Sequence, residues 1–312
     1  MPVPTRLDRY RGAMLGLAAG DALGTTLEFT RPWTFAPLTD MVGGGPFRLK
    51  AGEWTDDTSM ALCLAESLTE RGTFDPGDQL TRYVAWRREG HLSSTGTCFD
   101  IGRTVATALA RFERDGDLWA DGTDPYSAGN GSLMRLAPIP LFFAYDPRLA
   151  IQRAADSSRT THGHAEAIDA CRYMAGLIVG ALQGCTRDDL LAPAFSPVPD
   201  LWTAHPLAAA IARVANGSFR QEPPAIRGDG YVTRCLEAAL WAFAKSTGFE
   251  HGALLAVNLG EDADTTGAVY GQLAGAYYGV DAIPMKWRER LALLPLIERF
   301  ARRLFNAAER SA

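Results

Sequence analysis

The chain predicts an all-α fold, and three observations carry that expectation. Ala and Leu number 49 and 35, against 11 Val and 9 Ile. Strands draw on β-branched and aromatic residues whereas Ala and Leu lead the helix scale, so a large β-sheet is excluded. Apolar residues also recur at helical spacing over residues 9–23, 60–68, 101–112, 132–143, 166–182, 232–244, 252–258, 266–278 and 287–308. Finally, 47% apolar and 21% charged residues are the composition of a soluble globular protein with material for a substantial core.

Gly- and Pro-rich punctuation separates these stretches, as in Gly43-Gly44-Gly45-Pro46 and Asp75-Pro76-Gly77. Residues 186–231 hold six of the 18 prolines and read as an irregular peripheral segment around one short helix near Ala208. No self-sufficient pattern follows that segment, and no fixed-period repeat is present. A single domain over residues 1–312 is therefore expected, with long loops available for function.

Charge and cysteine usage narrow the partners. The net charge is −5, with Arg scattered, which excludes nucleic acid as the main partner. Cys63, Cys98, Cys171, Cys185 and Cys235 are an odd number with no CxxC pair, which fits reduced, mostly buried thiols of a cytoplasmic protein. Residues 1–8 lack an apolar signal core, and residues 173–182 are too short for the ~20 residues that a bilayer demands. A monomer with no membrane partner is expected.

Two helical stretches are rich in small residues: Gly12, Gly16, Ala18, Ala19, Gly20 and Gly24 in one, Gly267, Gly271, Ala274, Gly275, Ala276 and Gly279 in the other. Gly costs about 1 kcal/mol relative to Ala inside a helix, so its repeated use needs compensation. Close helix-to-helix approach supplies it. These stretches also carry Asp21, Asp262 and Asp264 among apolar residues, and buried carboxylates require partners.

Thr55-Asp56-Asp57-Thr58 enters one helix, and Asp262-Ala263-Asp264-Thr265-Thr266-Gly267 enters another some 200 residues later. Helix capping accounts for one carboxylate per helix start. It does not account for adjacent pairs, which repel unless a cation lies between them. If the two helix starts face each other, four carboxylates and two Thr hydroxyls form an all-oxygen nest suited to two hard divalent cations, Mg²⁺ or Mn²⁺. Zinc is disfavoured, because there is no HExxH, no Cys cluster and only one close pair among five histidines. Tyr126-Ser127-Ala128-Gly129-Asn130-Gly131-Ser132 runs into an apolar stretch and is the kind of loop that presents backbone N–H groups to phosphate. It lacks the Lys of a Walker loop. Thr161-His162-Gly163-His164 reads either as a hydrogen-bonded turn or as part of a pocket.

Taken in order, these blocks resemble the ADP-ribosylglycohydrolase family, which includes dinitrogenase reductase-activating glycohydrolases and the ADP-ribosylarginine and ADP-ribosylserine hydrolases. The matching residues are Arg11-Gly12-Ala13-Met14-Leu15-Gly16 through Gly20-Asp21-Ala22-Leu23-Gly24 to Glu28-Phe29, Thr55 to Thr58, Gly129 to Arg135, Thr161-His162, and Gly260 to Gly267. The resemblance implies an all-α fold with a two-metal cleft. It implies metal ligands at Thr55, Asp56, Asp57, Asp262, Asp264 and Thr265, with Asp264 contacting both ions. Ser127, Gly129, Asn130, Gly131 and Ser132 would bind the diphosphate, with His162 in the pocket. Glu28 or Asp57 would handle the proton. One block departs: near Ser93 to Cys98 the nitrogenase-related members carry an Asp before the Gly, where Ser94 and Thr95 stand here.

The implied reaction is hydrolysis of the bond between ribose C1″ and a modified side chain, arginine-linked in the favoured case, with ADP-ribose as product. The substrate would be an ADP-ribosylated protein or small molecule. Two other classes compete with this reading: a two-metal phosphohydrolase cutting the diphosphate, and a non-catalytic relative like the lens crystallins of this fold, which would have no need of six metal ligands.

Overall fold

The computed structural model describes residues 3–124 and 127–311; Tyr126 of the loop motif lies outside them. Among the described residues there are fifteen α-helices, a few 3₁₀ turns and no strand beyond the isolated bridges Gly44 to Leu49 and Gly129 to Tyr231. The helices are α1 (Arg6–Gly24), α2 (Asp56–Arg71), α3 (Pro76–Glu89), α4 (Arg103–Asp115), α5 (Pro138–Phe142), α6 (Pro147–Arg159), α7 (Ala165–Leu182) and α8 (Arg187–Leu190). Then follow α9 (Leu201–Ala204), α10 (Ala209–Ala215), α11 (Val232–Lys245), α12 (Phe249–Val257), α13 (Ala263–Tyr278), α14 (Met285–Arg288) and α15 (Leu294–Ser311). The all-α expectation is met.

At the centre α1 lies antiparallel against α13, and α7, α11, α12 and α15 pack around them. Both central helices are buried on every side from Gly12 to Gly24 and from Ala263 to Ala276, as a helix without a polar face must be. Glycine makes this pair possible. A Cβ on Gly12, Gly16 or Gly20 would stand 2.1, 2.3 or 2.0 Å from the carbonyl oxygen of Gly275, Gly271 or Gly267. The reverse holds for each partner, so every step of four along α1 meets a step of four back along α13. The last rung sets Gly24 against Ala263 and Asp264, which brings the C-terminal end of α1 to the N-terminal end of α13.

Several elements differ from the expectation. Residues 132–143 are not one helix: hydrogen-bonded turns run to Leu136, and α5 has five residues. Pro138 and Pro140 lack the N–H groups that a longer helix would require. Residues 287–308 are likewise broken into α14 and α15 at Leu293, whose φ is 51°, just ahead of Pro295 in the first turn of α15. Asp75-Pro76-Gly77 starts α3 instead of ending a turn, since Asp75 accepts from the N–H groups of Gly77 and Asp78 and Pro76 needs no partner at N1. Asp146-Pro147 starts α6 in the same way. The segment 186–231 is mostly irregular, but its end is not peripheral: Asp229 and Gly230 line the main cleft. Cys63, Cys171 and Cys235 are buried free thiols, and no helix among the described residues is long and apolar enough to cross a membrane.

Gly20→Ala should lower stability by about 3 kcal/mol or more, because its Cβ meets backbone that cannot move aside. Gly248→Ala, whose Cβ meets nothing within 4 Å, is the matched control. Thermal unfolding of the two variants gives the comparison, and equal melting temperatures would contradict the packing argument.

Candidate active site

Asp21 sits one turn before the end of α1 and is fully buried. One carboxylate oxygen accepts from Thr55 N at 2.9 Å and Thr55 Oγ1 at 3.0 Å. The other accepts from Thr58 N at 3.0 Å and Thr58 Oγ1 at 2.6 Å. Asp21 thus caps α2 from across the core and fixes the start of α2 beside the start of α13. Its four hydrogen bonds make it a positioning group.

Asp56, Asp57, Asp264 and Thr265 stand around that junction, all buried, with half-buried Asp262 beside them. Asp57 Oδ2 accepts from Thr55 Oγ1 at 3.2 Å and Thr265 Oγ1 at 3.4 Å. Asp57 Oδ1 is buried with no hydrogen-bond partner. Asp262 Oδ2 accepts from Asn130 Nδ2 at 2.6 Å, and Glu28 Oε2 from Ala263 N at 3.1 Å. Oxygens of Asp21, Asp57 and Asp264 converge within 4.8 Å of one another, as do those of Glu28, Asp262 and Asp264. These two overlapping groups meet at Asp264. An orphaned carboxyl oxygen inside an all-oxygen donor set fits a hard divalent cation, since its ionised form needs a compensating charge when buried.

Burial first, and repulsion from neighbouring carboxylates second, raise the pKa values here. Asp21 and Asp262 are pushed up to about 7, and Asp56, Asp57 and Glu28 are also raised, burial being the first cause in each. Asp100 is pushed up to about 9. Asp100 was not among the expected site residues, yet it lines the cleft beside the cluster. Its signal is Asp100-Ile101-Gly102, an Asp two residues ahead of a Gly, a few residues beyond Ser94 and Thr95. Ser94, by contrast, is spent on the Trp54 carbonyl at 2.6 Å.

The cleft has a volume of about 650 Å³ and joins the acidic cluster to the glycine loop. Glu28, Asp56, Asp262 and Thr265 line it, together with Gly129, Asn130, Gly131 and His162. Ser127 and Ser132 turn away from this wall, Ser127 Oγ donating to the Asp124 carbonyl and Ser132 Oγ pairing with Ser158 Oγ. Arg135, fully buried over the Tyr83 ring, donates to the Gly131 carbonyl at 2.8 Å and to Thr161 Oγ1 at 2.7 Å. Thr161 Oγ1 lies 2.8 Å from His162 Nδ1. With Arg135 donating to it, the Thr161 hydroxyl directs its own proton to Nδ1, which leaves Nε2 as the N–H donor. Burial, and then Arg135, depress the His162 pKa to about 3, so the ring is neutral near pH 7. At the facing wall Gly102, Arg103 and Thr104, at the start of α4, complete the lining.

Comparison with known proteins identifies the family. The family model described as ADP-ribosylglycohydrolase matches residues 2–312. The chain belongs to the ADP-ribosylglycohydrolase family. It is 44% identical over 306 residues to the ADP-ribosylarginine hydrolase Tri1 of Pseudomonas putida (strain GB-1), covering 97% of this chain and 79% of that one. It is 41% identical over 313 residues to the protein of the same name from Serratia proteamaculans (strain 568), covering 99% and 82%. A solved structure titled ADP-ribosylglycohydrolase-related protein complex superposes with a TM-score of 0.86 at 47% identity, over 97% of this chain and 99% of that one. As an ADP-ribosylglycohydrolase, the protein is a hydrolase of glycosidic bonds.

The raised carboxyl groups make a pH prediction. Their folded pKa values lie above the ordinary aspartate value of about 3.9, so the folded protein holds extra protons and loses stability as pH rises from about 4 toward 9. After chelation the melting temperature should be lower at about pH 8 than at about pH 5, and added Mg²⁺ or Mn²⁺ should raise it more at the higher pH. A metal-induced shift independent of pH would contradict the assignment.

Proposed function

We propose that this cleft removes ADP-ribose from an arginine side chain by hydrolysing the N-glycosidic bond at ribose C1″. The observation that carries the reading is the cluster around Asp57 Oδ1 opening into the same cleft as the glycine loop and His162. Arginine as the linked residue is favoured by the names of the two relatives at 44% and 41% identity and by Asp100 in the cleft wall.

Two divalent cations, Mg²⁺ or Mn²⁺, would be held by Asp56, Asp57, Asp262, Asp264, Thr55 and Thr265. Such ions supply charge stabilisation to bound hydroxyl groups and lower the pKa of water. Gly129, Asn130 and Gly131 would hold the diphosphate, with His162 Nε2 donating one hydrogen bond to it. A neutral histidine suits this part, because its donor persists at any pH well above 3. Binding energy from that remote group orients C1″ over the acidic cluster.

Glu28 is the proton carrier in this scheme. It lines the cleft, whereas Asp57 is enclosed between Thr55 and Thr265, so Glu28 alone of the two reaches substrate. As water adds to C1″, the C1″–N bond breaks and the guanidine nitrogen gains a proton. Glu28, which burial biases toward its protonated form, donates that proton and regains one from the attacking water.

Asp264→Ala should reduce release of ADP-ribose from an arginine-linked substrate by at least about 10³-fold, since both carboxylate groups lose their shared member. Chromatography of the products tests the bond cut: free ADP-ribose is expected, and AMP with phosphoribose still linked to the arginine would overturn the glycosidic reading. Glu28→Gln should lower kcat while leaving ADP-ribose affinity within about threefold.

A further inference from the structure

Phe29 has no part in the scheme above, yet its placement is costly. It follows Glu28, lines the cleft and is 68% exposed, so its ring gains little from burial. Its φ is 57°, a region that bulky side chains rarely adopt. Two hydrogen bonds hold it there: Phe29 N donates to the Glu261 carbonyl at 2.7 Å, and Glu261 N donates to the Thr30 carbonyl at 2.8 Å.

The ring is also supported from behind. Phe29 meets Phe47 edge-on, with 6.2 Å between centroids and 70° between planes, and Phe47 meets Phe99 at 5.3 Å. Phe99 precedes Asp100, which has a φ of 59° and lines the same cleft. Two segments 70 residues apart thus use one device, a carboxyl group in the cleft next to a phenylalanine of a single aromatic row. Among the lining residues the acids outnumber the one guanidinium, Arg103, so this lip adjoins an environment that favours a cation.

We propose that the Phe29 ring is the stacking face for the guanidinium of an arginine leaving group, with Phe47 and Phe99 holding that ring in position. This specificity determinant rests on the arginine-linked reading above. A guanidinium is planar, permanently charged and weakly hydrated, so it stacks on an aromatic face. The neutral hydroxyl of an O-linked leaving group gains nothing comparable. Asp100, in the same cleft, is the adjoining acceptor for its N–H groups.

The experiment compares wild type, Phe29→Leu and Phe29→Tyr on an arginine-linked ADP-ribosyl peptide, with ADP-ribose affinity measured by calorimetry alongside. Phe29→Leu should raise KM about five- to thirty-fold, the size of a desolvated cation–π contact. ADP-ribose affinity should be unchanged, and Phe29→Tyr should restore KM. An unchanged KM in Phe29→Leu overturns the proposal. So does an equal loss of ADP-ribose affinity, which would put the ring against the ADP-ribose moiety. A wild-type protein that does not cleave the arginine-linked peptide at all overturns the functional reading itself, which separates the two failures.

Discussion

Backbone contact between α1 and α13 is the constraint on which the cleft depends. With glycine at every fourth position on both helices, the axes approach until carbonyl oxygens occupy the space where side chains would stand. The gain is positional more than energetic. Asp21 at the end of one helix and Asp264 at the start of the other are brought together without a loop between them, and Asp21 then seizes the start of α2 through Thr55 and Thr58. Three helix ends meet at one point, and the carboxyl groups inherit their positions from closely packed backbone in the core.

That arrangement concentrates negative charge where water is scarce. Each oxygen that finds a protein partner finds a neutral one: Thr55 and Thr265 for Asp57, Asn130 for Asp262, the Ala263 N–H for Glu28. No Lys or Arg enters these pairings, so the repulsion is relieved by protons or by cations. The cleft is therefore polarised along its length. At the glycine loop, burial and then Arg135 keep His162 neutral, and the Thr161 hydroxyl leaves Nε2 as an N–H donor. At the cluster, acidic groups crowd together with no cationic side chain among their hydrogen-bond partners.

Much of this was legible in the sequence because its signals are physical. Glycines at four-residue spacing in two distant stretches foretold close approach, and adjacent carboxylates at two helix starts foretold a shared acidic cluster. Other features were hidden for equally physical reasons. The loop before Leu133 resembled a helix start, but Pro138 and Pro140 shorten the helix, and Ser127 and Ser132 are spent on local hydrogen bonds. Asp100 carries no periodic signal and reaches the cleft through a left-handed backbone that nothing in its residue type announces. The placement of Phe29 beside Phe47 at the cleft could not be read at all, since an exposed phenylalanine acquires meaning only from its neighbours in space.

The most direct measurement is an anomalous-scattering map of a crystal grown with Mn²⁺. The account predicts manganese within roughly 2.2 Å of Asp57 Oδ1 and of a carboxylate oxygen of Asp264, in the space those oxygens enclose. Ordered manganese elsewhere, with Asp57 Oδ1 still lacking any partner, would contradict the claim that these helix ends are held together in order to hold a cation.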